Sequence, residues 1–576
     1  MMQIIECVPN FSEGRNRAVI DKIVEAIAAT KVSDGGVEYG VKVLDVDPGE
    51  ATNRTVVTFV GTPKAVLEAA FQGVKMAGEL IDMRHHKGAH PRSGATDVLP
   101  LIPVAGITLE ECGKLAQGLA KRIYEELEVP CYCYESAAFK PERKNLAVCR
   151  AGEYEALVEK IADPERKPDF GPGKYTERAA KCGATNVGAR NFLVAVNYNL
   201  NTTSTRRAMA VAFDVREKGR KMREGGSLTG KVLKDANGKD MWQPGTLKGC
   251  KAIGWFIDEY GIAQVSMNIT DIEQTPLHVA YEEVCRAAAA RGLKVTGAEI
   301  VGLVPKRVLM EAGRFYLEKQ QRSTGIGDEE IMKIAVKSMS LDDLKPFNPK
   351  EKVIEYLMQD EAELAVKERL IRMTCKGFAN ETASESPAPG GGSISAYMGA
   401  LGAALGTMVA NLSSHKRGWD ERWKEFSDWA DKGQALKDEL LALVDEDTAA
   451  FNKIMDVFSM PKGTDEEKAA RAKAMEEATL YASEVPLRTV KASFKVFELV
   501  KAMAETGNPN SVSDAGVGAL AARSAVYGAA LNVKINAVGL EDKAMAAKLI
   551  DEAQDYVKRA SEAEAEVLKI VNEKIG

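Results

Sequence analysis

Three of the chain's five histidines sit in one short segment, Arg84-His85-His86-Lys87-Gly88-Ala89-His90-Pro91-Arg92-Ser93-Gly94-Ala95-Thr96-Asp97. Two glycines and a proline make it a loop in which side chains turn toward a ligand and backbone approaches it closely. His85 and His86 read as solvated residues, since polar loop side chains need no partner. His90 differs, because Pro91 disfavours a helical backbone before it and fixes the following φ. An imidazole held this way, titrating near neutrality, suits a general base. It needs an orienting carboxylate, and Asp45 and Asp47 of Val41-Lys42-Val43-Leu44-Asp45-Val46-Asp47 lie two apart on one face of a strand. Capping of the Pro48-Gly49 turn competes for one of the pair.

A second pattern is Pro387-Ala388-Pro389-Gly390-Gly391-Gly392-Ser393, set directly before a Gly/Ala-rich stretch. Composition alone makes it a linker. Its position instead makes it a helix N-terminus whose free N–H groups attract anions, with close helix packing in an oligomer core as the alternative. Further on, Val444, Phe451, Ile454 and Met455 mark an apolar helical face that includes Asp447, while Asp445 and Glu446 turn away from it. A carboxyl in apolar surroundings is raised in pKa and can act as an acid. A hydrogen-bonded structural aspartate fits the same position equally well.

These groups must be held by larger elements. Up to about residue 340, β-branched runs near 4–8, 41–46, 55–60, 99–104, 131–134, 192–198, 252–256, 263–269 and 300–304 alternate with amphipathic stretches such as 17–29, 63–81, 109–127, 203–218 and 278–290, an α/β pattern. The polar stretch 164–190 reads as a joint between two α/β subdomains, 1–184 and 185–340. A polar insert at 223–248 carries Asn237-Gly238, a type I′ hairpin signal. Prolines at 346 and 349 mark a linker over 341–360. Beyond it, helices are expected near 361–376, 391–412, 419–457, 465–506 with a break at Pro486, 513–536 and 541–574, an all-α domain over 361–576.

Bulk properties narrow the partners. A chain of 576 residues exceeds a single core, and a net charge of −6 speaks against nucleic acid and anionic membranes. The stretch 394–412 has the length of a membrane span but is built of Gly and Ala without an aromatic belt, so a packed core helix is expected. The N-terminus lacks a signal pattern, which places the chain in the cytoplasm. Nine cysteines without a CxxC pair, Cys131 and Cys133 included, suggest reduced thiols and no metal.

Blocks of sequence also carry a resemblance. The segments at 8–14 (VPNFSEG), 44–47 (LDVD), 51–61 (ATNRTVVTFVG), 81–84 (IDMR), 87–104 (KGAHPRSGATDVLPLIPV), 150–157 (RAGEYEAL), 169–172 (DFGP) and 252–259 (AIGWFIDE) together resemble the formiminotransferase domain. Those at 387–396 (PAPGGGSISA), 443–451 (LVDEDTAAF), 507–519 (GNPNSVSDAGVGA) and 529–536 (AALNVKIN) are similar to the cyclodeaminase domain, so the chain resembles the fused formiminotransferase-cyclodeaminase family over nearly its whole length.

The resemblance implies two α/β subdomains with tetrahydrofolate, as a polyglutamylated co-substrate, in the groove between them, followed by a helical domain. It implies His90 as the base paired with Asp47, and Asp447 as the acid/base of the second step. Asn10 and the stretch Gly171, Pro172, Gly173, Lys174 to Gly183 fall in segments that line the folate site, and the stretch is longer and more basic here (Lys174, Arg178, Lys181). Arg54, Arg92 and Arg190 are candidate forks for glutamate carboxylates, with an ordinary surface arginine fitting each position equally well, and Gly390, Gly391, Gly392 and Ser393 are the candidate second binding site. The implied reaction moves a formimino group from N-formimino-L-glutamate to tetrahydrofolate and then closes 5,10-methenyl-tetrahydrofolate with loss of ammonia. Use of N-formyl-glutamate, or a folate-binding scaffold without turnover, are the alternatives. The family also implies a homo-oligomer, a ring of dimers.

Overall fold

In Ile4-Ile5-Glu6-Cys7 every side chain is buried, the mark of a strand covered on both faces. The computed structural model, which describes residues 3–34, 37–49, 53–88, 92–226, 230–257, 260–358 and 367–576, puts it at the centre of a sheet. The strands are β1 (Ile4–Cys7), β2 (Asn10–Phe11), β3 (Lys31–Asp34), β4 (Val37–Gly49), β5 (Arg54–Gly61), β6 (Thr96–Ala105), β7 (Cys131–Glu135) and β8 (Thr185–Ala189), in the order β3-β4-β5-β1-β6-β8-β7 with β2 paired to β5 and β6. Ile5, Cys7, Val57, Phe59, Leu99 and Val187 face helices Arg17–Ala28, Pro63–Leu80 and Leu109–Leu127 in one core. The joint expected at 164–190 therefore ends inside the first sheet: β8 lies between and parallel to β6 and β7. This moves the subdomain boundary past 184. Thr185-Asn-Val-Gly-Ala has no β-branched run to announce a strand, and its place follows from burial of all five residues.

A second sheet holds β9 (Val194–Leu200), β12 (Cys250–Ile257), β13 (Ile262–Ile269) and β14 (Val295–Val301), antiparallel in the order β12-β13-β9-β14. Between them the polar insert forms a two-stranded excursion of β10 (Arg220–Lys221) and β11 (Trp242–Gln243). Its turn is not type I′, because Gly238 takes a positive φ and Asn237 does not. The Asp235 carboxylate accepts from the N–H groups of Asn237 and Lys239, which closes the turn in another form.

The chain divides into two compact units, Met1–Val308 with Ser340–Met358, and Leu309–Met339 with Gln359–Gly576. Two sequence boundaries change accordingly. Residues 309–339 belong to the helical unit, where Thr324 N–H donates to Ser427 Oγ (3.0 Å), Thr324 Oγ1 to Asp431 (2.7 Å) and Asn411 Nδ2 to the Gly325 carbonyl (2.8 Å). The described part of the expected linker, 341–358, is no free connector. It forms helices Pro349–Lys352 and Ile354–Met358, and Lys42 Nζ donates to the Leu357 carbonyl.

Helix Gly391–Ser414 is the centre of the helical unit, packed against Trp423–Phe458, Asp465–Thr506 and Val512–Ala537, with Lys543–Ile575 outside. It is long and apolar enough to cross a bilayer, but 61% of that window is buried inside the unit. The break expected at Pro486 is absent from helix Asp465–Thr506. Proline withdraws the N–H that would reach the Ala482 carbonyl, and Asn536 Nδ2 supplies a donor to that carbonyl at 2.6 Å. Of the helix expected at 361–376, residues 361–366 lie outside the described residues; the chain turns over 368–373 and the helix is Cys375–Thr382.

Candidate active sites

Strand register sets out the first site. Asp47 pairs with Val56, Val56 with Asn10, Asn10 with Val98, and Val98 with Asn186, so these residues form one row across the sheet on the face away from the three long helices, with Val98 and Asn186 buried at its far end. Asp45 and Asp47 are exposed there, as the alternation required. Arg54 opens β5 half-buried. Burial and the nearby Arg150 guanidinium lower its pKa, and Asp97 and Asp47 oppose them. Asn10 turns its amide to the Val8 carbonyl (3.0 Å).

His90 lies outside the described residues, but its neighbours are tied down. Asn53 Nδ2 donates to the Lys87 carbonyl (3.0 Å), and His86 Nε2 meets the Asn53 carbonyl (2.8 Å), so His86 is no solvated residue. On the other side Ser93 N–H donates to Asp97 (2.9 Å), itself fully buried and ion-paired with Arg150. Arg92, a candidate fork, is already held by Glu153 (3.0 Å) and Glu155 (2.7 Å). Gly183 has φ +68° and crosses Gly94, where a Cβ would meet the Ser93 carbonyl at 2.3 Å. It fixes the end of this loop. The basic residues of the 171–183 stretch are also committed: Arg178 donates to the Leu127 and Gly78 carbonyls and Lys181 to the Glu79 carbonyl, closing helix C-termini. Gly171, Pro172, Gly173 and exposed Lys174 form a loop before them. Arg190 follows β8, half-buried, and donates to the Asn191 carbonyl (3.1 Å).

The second site is tighter. Gly391–Ser414 begins at the glycine run with Gly390 as N-cap. Ser393 Oγ donates to the Val444 carbonyl (2.8 Å) and reaches Asp447 Oδ2 (3.1 Å). A Cβ on Gly392 would lie 2.1 Å from Asp447 Oδ1, so only glycine admits the carboxylate this close to the helix start. Burial raises the Asp447 pKa, and hydrogen bonds from the Ser393 side chain and backbone lower it. Asp445 and Glu446 do turn away, each to a structural partner: Asp445 accepts from Leu370 and Ile371 N–H, Glu446 from Tyr481 and Arg488. Downstream the apolar face emerges: Phe451 and Met455 are exposed. Sequence reasoning missed Asn532, whose amide stands 3.2 Å from a Cβ on Gly391; the i, i+4 pair Asn532 and Asn536 was its signal. Among the described residues no group of three or more His, Cys, Asp or Glu could hold a metal.

Family models described as the formiminotransferase domain, N-terminal subdomain, the formiminotransferase domain, and formiminotransferase-cyclodeaminase match residues 4–190, 195–359 and 374–555. The formimidoyltransferase-cyclodeaminase of Gallus gallus is 41% identical, with 100% of both chains covered. The chain belongs to the formiminotransferase-cyclodeaminase family. Each half of a family member also has a free-standing relative. Glutamate formimidoyltransferase of Thermoplasma acidophilum is 39% identical over 55% of this chain and 93% of its own. Methenyltetrahydrofolate cyclohydrolase of Methylorubrum extorquens is 38% identical over 35% of this chain and 97% of its own. In the family's terms, the Asp47 row lies in the formiminotransferase part and Asp447 with the glycine run in the cyclodeaminase part. Burial raises the Asp447 carboxyl above the ordinary aspartate range while the Ser393 hydroxyl and N–H hold its charged form, so it is placed to exchange a proton with a bound group.

Proposed function

We propose that this protein is a bifunctional folate enzyme: its α/β part transfers the formimino group of N-formimino-L-glutamate to N5 of tetrahydrofolate, and its helical part closes 5,10-methenyl-tetrahydrofolate with release of ammonia. The carrying observation is Asp447, a buried carboxyl at a helix start in the half that matches the cyclodeaminase family. In this reading His90, oriented by Asp47, removes the proton from the N5 that has attacked the amidine carbon and returns it to the leaving glutamate nitrogen. Asp447 then protonates the formimino nitrogen so that it departs as ammonia, not as amide. Arg54 and Arg190 and the loop Gly171–Lys174 are the places for substrate carboxylates, and Gly390–Ser393 for the folate of the second step.

Supplying the purified protein with tetrahydrofolate and N-formimino-L-glutamate gives methenyl absorbance and one ammonia per turnover, and N-formyl-glutamate gives neither. Folate binding without either product supports a scaffold instead. A second reading, favoured by the Methylorubrum extorquens relative, has the helical part hydrolyse the methenyl product; the absorbance would then rise and decay.

The pH profile of cyclisation reports on Asp447. Its active form is the acid, so activity falls as pH rises through its pKa. Ser393→Ala removes a hydrogen bond that favours the charged form, and the alkaline limb moves to higher pH. A limb that moves down, or stays, separates Asp447 from the titration.

Homo-oligomer formation, as a ring of dimers, belongs to the same proposal. Helix Val512–Ala537 and the residue after it expose Val517, Leu520, Tyr527, Leu531, Ile535 and Val538 at helical spacing, a stripe suited to a second copy. A cytoplasmic location belongs to the proposal too, since nine scattered cysteines without a CxxC pair suit a reducing compartment.

A further inference from the structure

Glu6 stands in a strand where every neighbour is apolar or sulfur-bearing and buried, and it is itself only 5% exposed. Register places it opposite Val60 on β5 and Ile102 on β6. Val60 and Val56 lie four apart on the regular strand β5, so Glu6 lies on the same face of the sheet as the Asp47 row. Among the described residues its carboxylate accepts no hydrogen bond. Arg190 is near enough to lower its pKa without forming a salt bridge, and burial outweighs this and pushes it up to about 7. A buried carboxyl that accepts no protein hydrogen bond is costly, and such a group in a native chain calls for an explanation, of which a bound ligand is one.

We propose that Glu6 is a substrate-contacting carboxyl of the transferase site, receiving an N–C–N edge that offers two parallel N–H donors. A carboxylate accepts such an edge with one oxygen per donor. Two substrates of the reaction carry it: the reduced pterin, through ring N3–H and the 2-amino group, and the formimino donor, through its amidine. Glu6 lies four residues, roughly 13 Å, along the strands from the row of Asp47 and Asn10. The amidine carbon reacts beside Asp47 in the reading above, on which this inference rests, so the pterin edge is the one left to point toward Glu6. Arg190 then keeps the carboxyl ionised when the donors bind.

Steady-state transfer by the full-length protein separates the sources. Glu6→Gln keeps the volume but turns one acceptor into a donor facing an N–H. KM for tetrahydrofolate rises roughly tenfold to hundredfold, the size expected for an unpaired buried polar group, while KM for N-formimino-L-glutamate stays within about twofold. The reverse pattern assigns the edge to the amidine. Unchanged KM values for both overturn the proposal, whatever happens to the melting temperature. Because the variant can lose stability, the wild type is also assayed with 2-desamino-2-methyl-tetrahydrofolate: equal KM values for analogue and parent exclude the pterin edge without any mutation. Wild-type protein that transfers no formimino group sinks the functional reading itself, and active wild type with an indifferent Glu6→Gln sinks only this inference.

Discussion

Asp447→Asn will stop cyclisation and leave formimino transfer at the wild-type rate. Asparagine fits the space beside Gly392 and accepts the Ser393 hydroxyl, but it cannot deliver a proton. No neighbour substitutes for it: Asp445 is spent on two backbone N–H groups and Glu446 on Tyr481 and Arg488. A positioned acid contributes roughly 10²–10⁴-fold, and a loss of that order is expected in the appearance of methenyl absorbance from supplied 5-formimino-tetrahydrofolate. Retention of more than a tenth of the rate removes Asp447 from the chemistry.

Stability points the same way. Burial raises the folded pKa of Asp447 above its unfolded value. The stability tied to its protonated form is therefore complete below the unfolded pKa and is lost as pH rises through the folded one. Above the folded pKa the native enzyme carries this cost and the Asn variant does not. Its melting temperature should match or exceed that of the wild type, so lost cyclisation cannot be laid to unfolding.

What the sequence disclosed depended on how local the signal was. Asp45 and Asp47 were readable because alternation on a strand is a two-residue rule, and Asp447 because its face is a one-turn rule. Other residues were settled by partners far along the chain. Pro486 reads as a break until Asn536 supplies the missing donor, and the unexpected basic charge of Arg178 and Lys181 is explained by the two helix ends they close. β8 has no signal of its own beyond burial. Glu6 was the clearest missed sign, since a charged residue inside Ile-Ile-Glu-Cys-Val departs from an otherwise apolar strand.

His90→Ala is expected to lower transfer by roughly 10²–10⁴-fold, the range for a general base, while supplied 5-formimino-tetrahydrofolate still cyclises at the wild-type rate. The structure motivates this through the flanks of the loop. Before it, Lys87 is bound by Asn53; after it, Arg92 is held by two glutamates, Ser93 by Asp97, and Gly94 by the crossing with Gly183. Both attachment points are thus fixed before substrate arrives, which lowers the entropy cost of presenting a catalytic group. The other imidazoles of the segment do not replace it: His86 is engaged by the Asn53 carbonyl and Arg92, and His85 is exposed. Release of glutamate from N-formimino-L-glutamate measures the step, and imidazole added to the buffer should restore part of it if a proton acceptor is what was removed. If cyclisation falls together with transfer, the two sites are not independent; if transfer persists, the base is another residue.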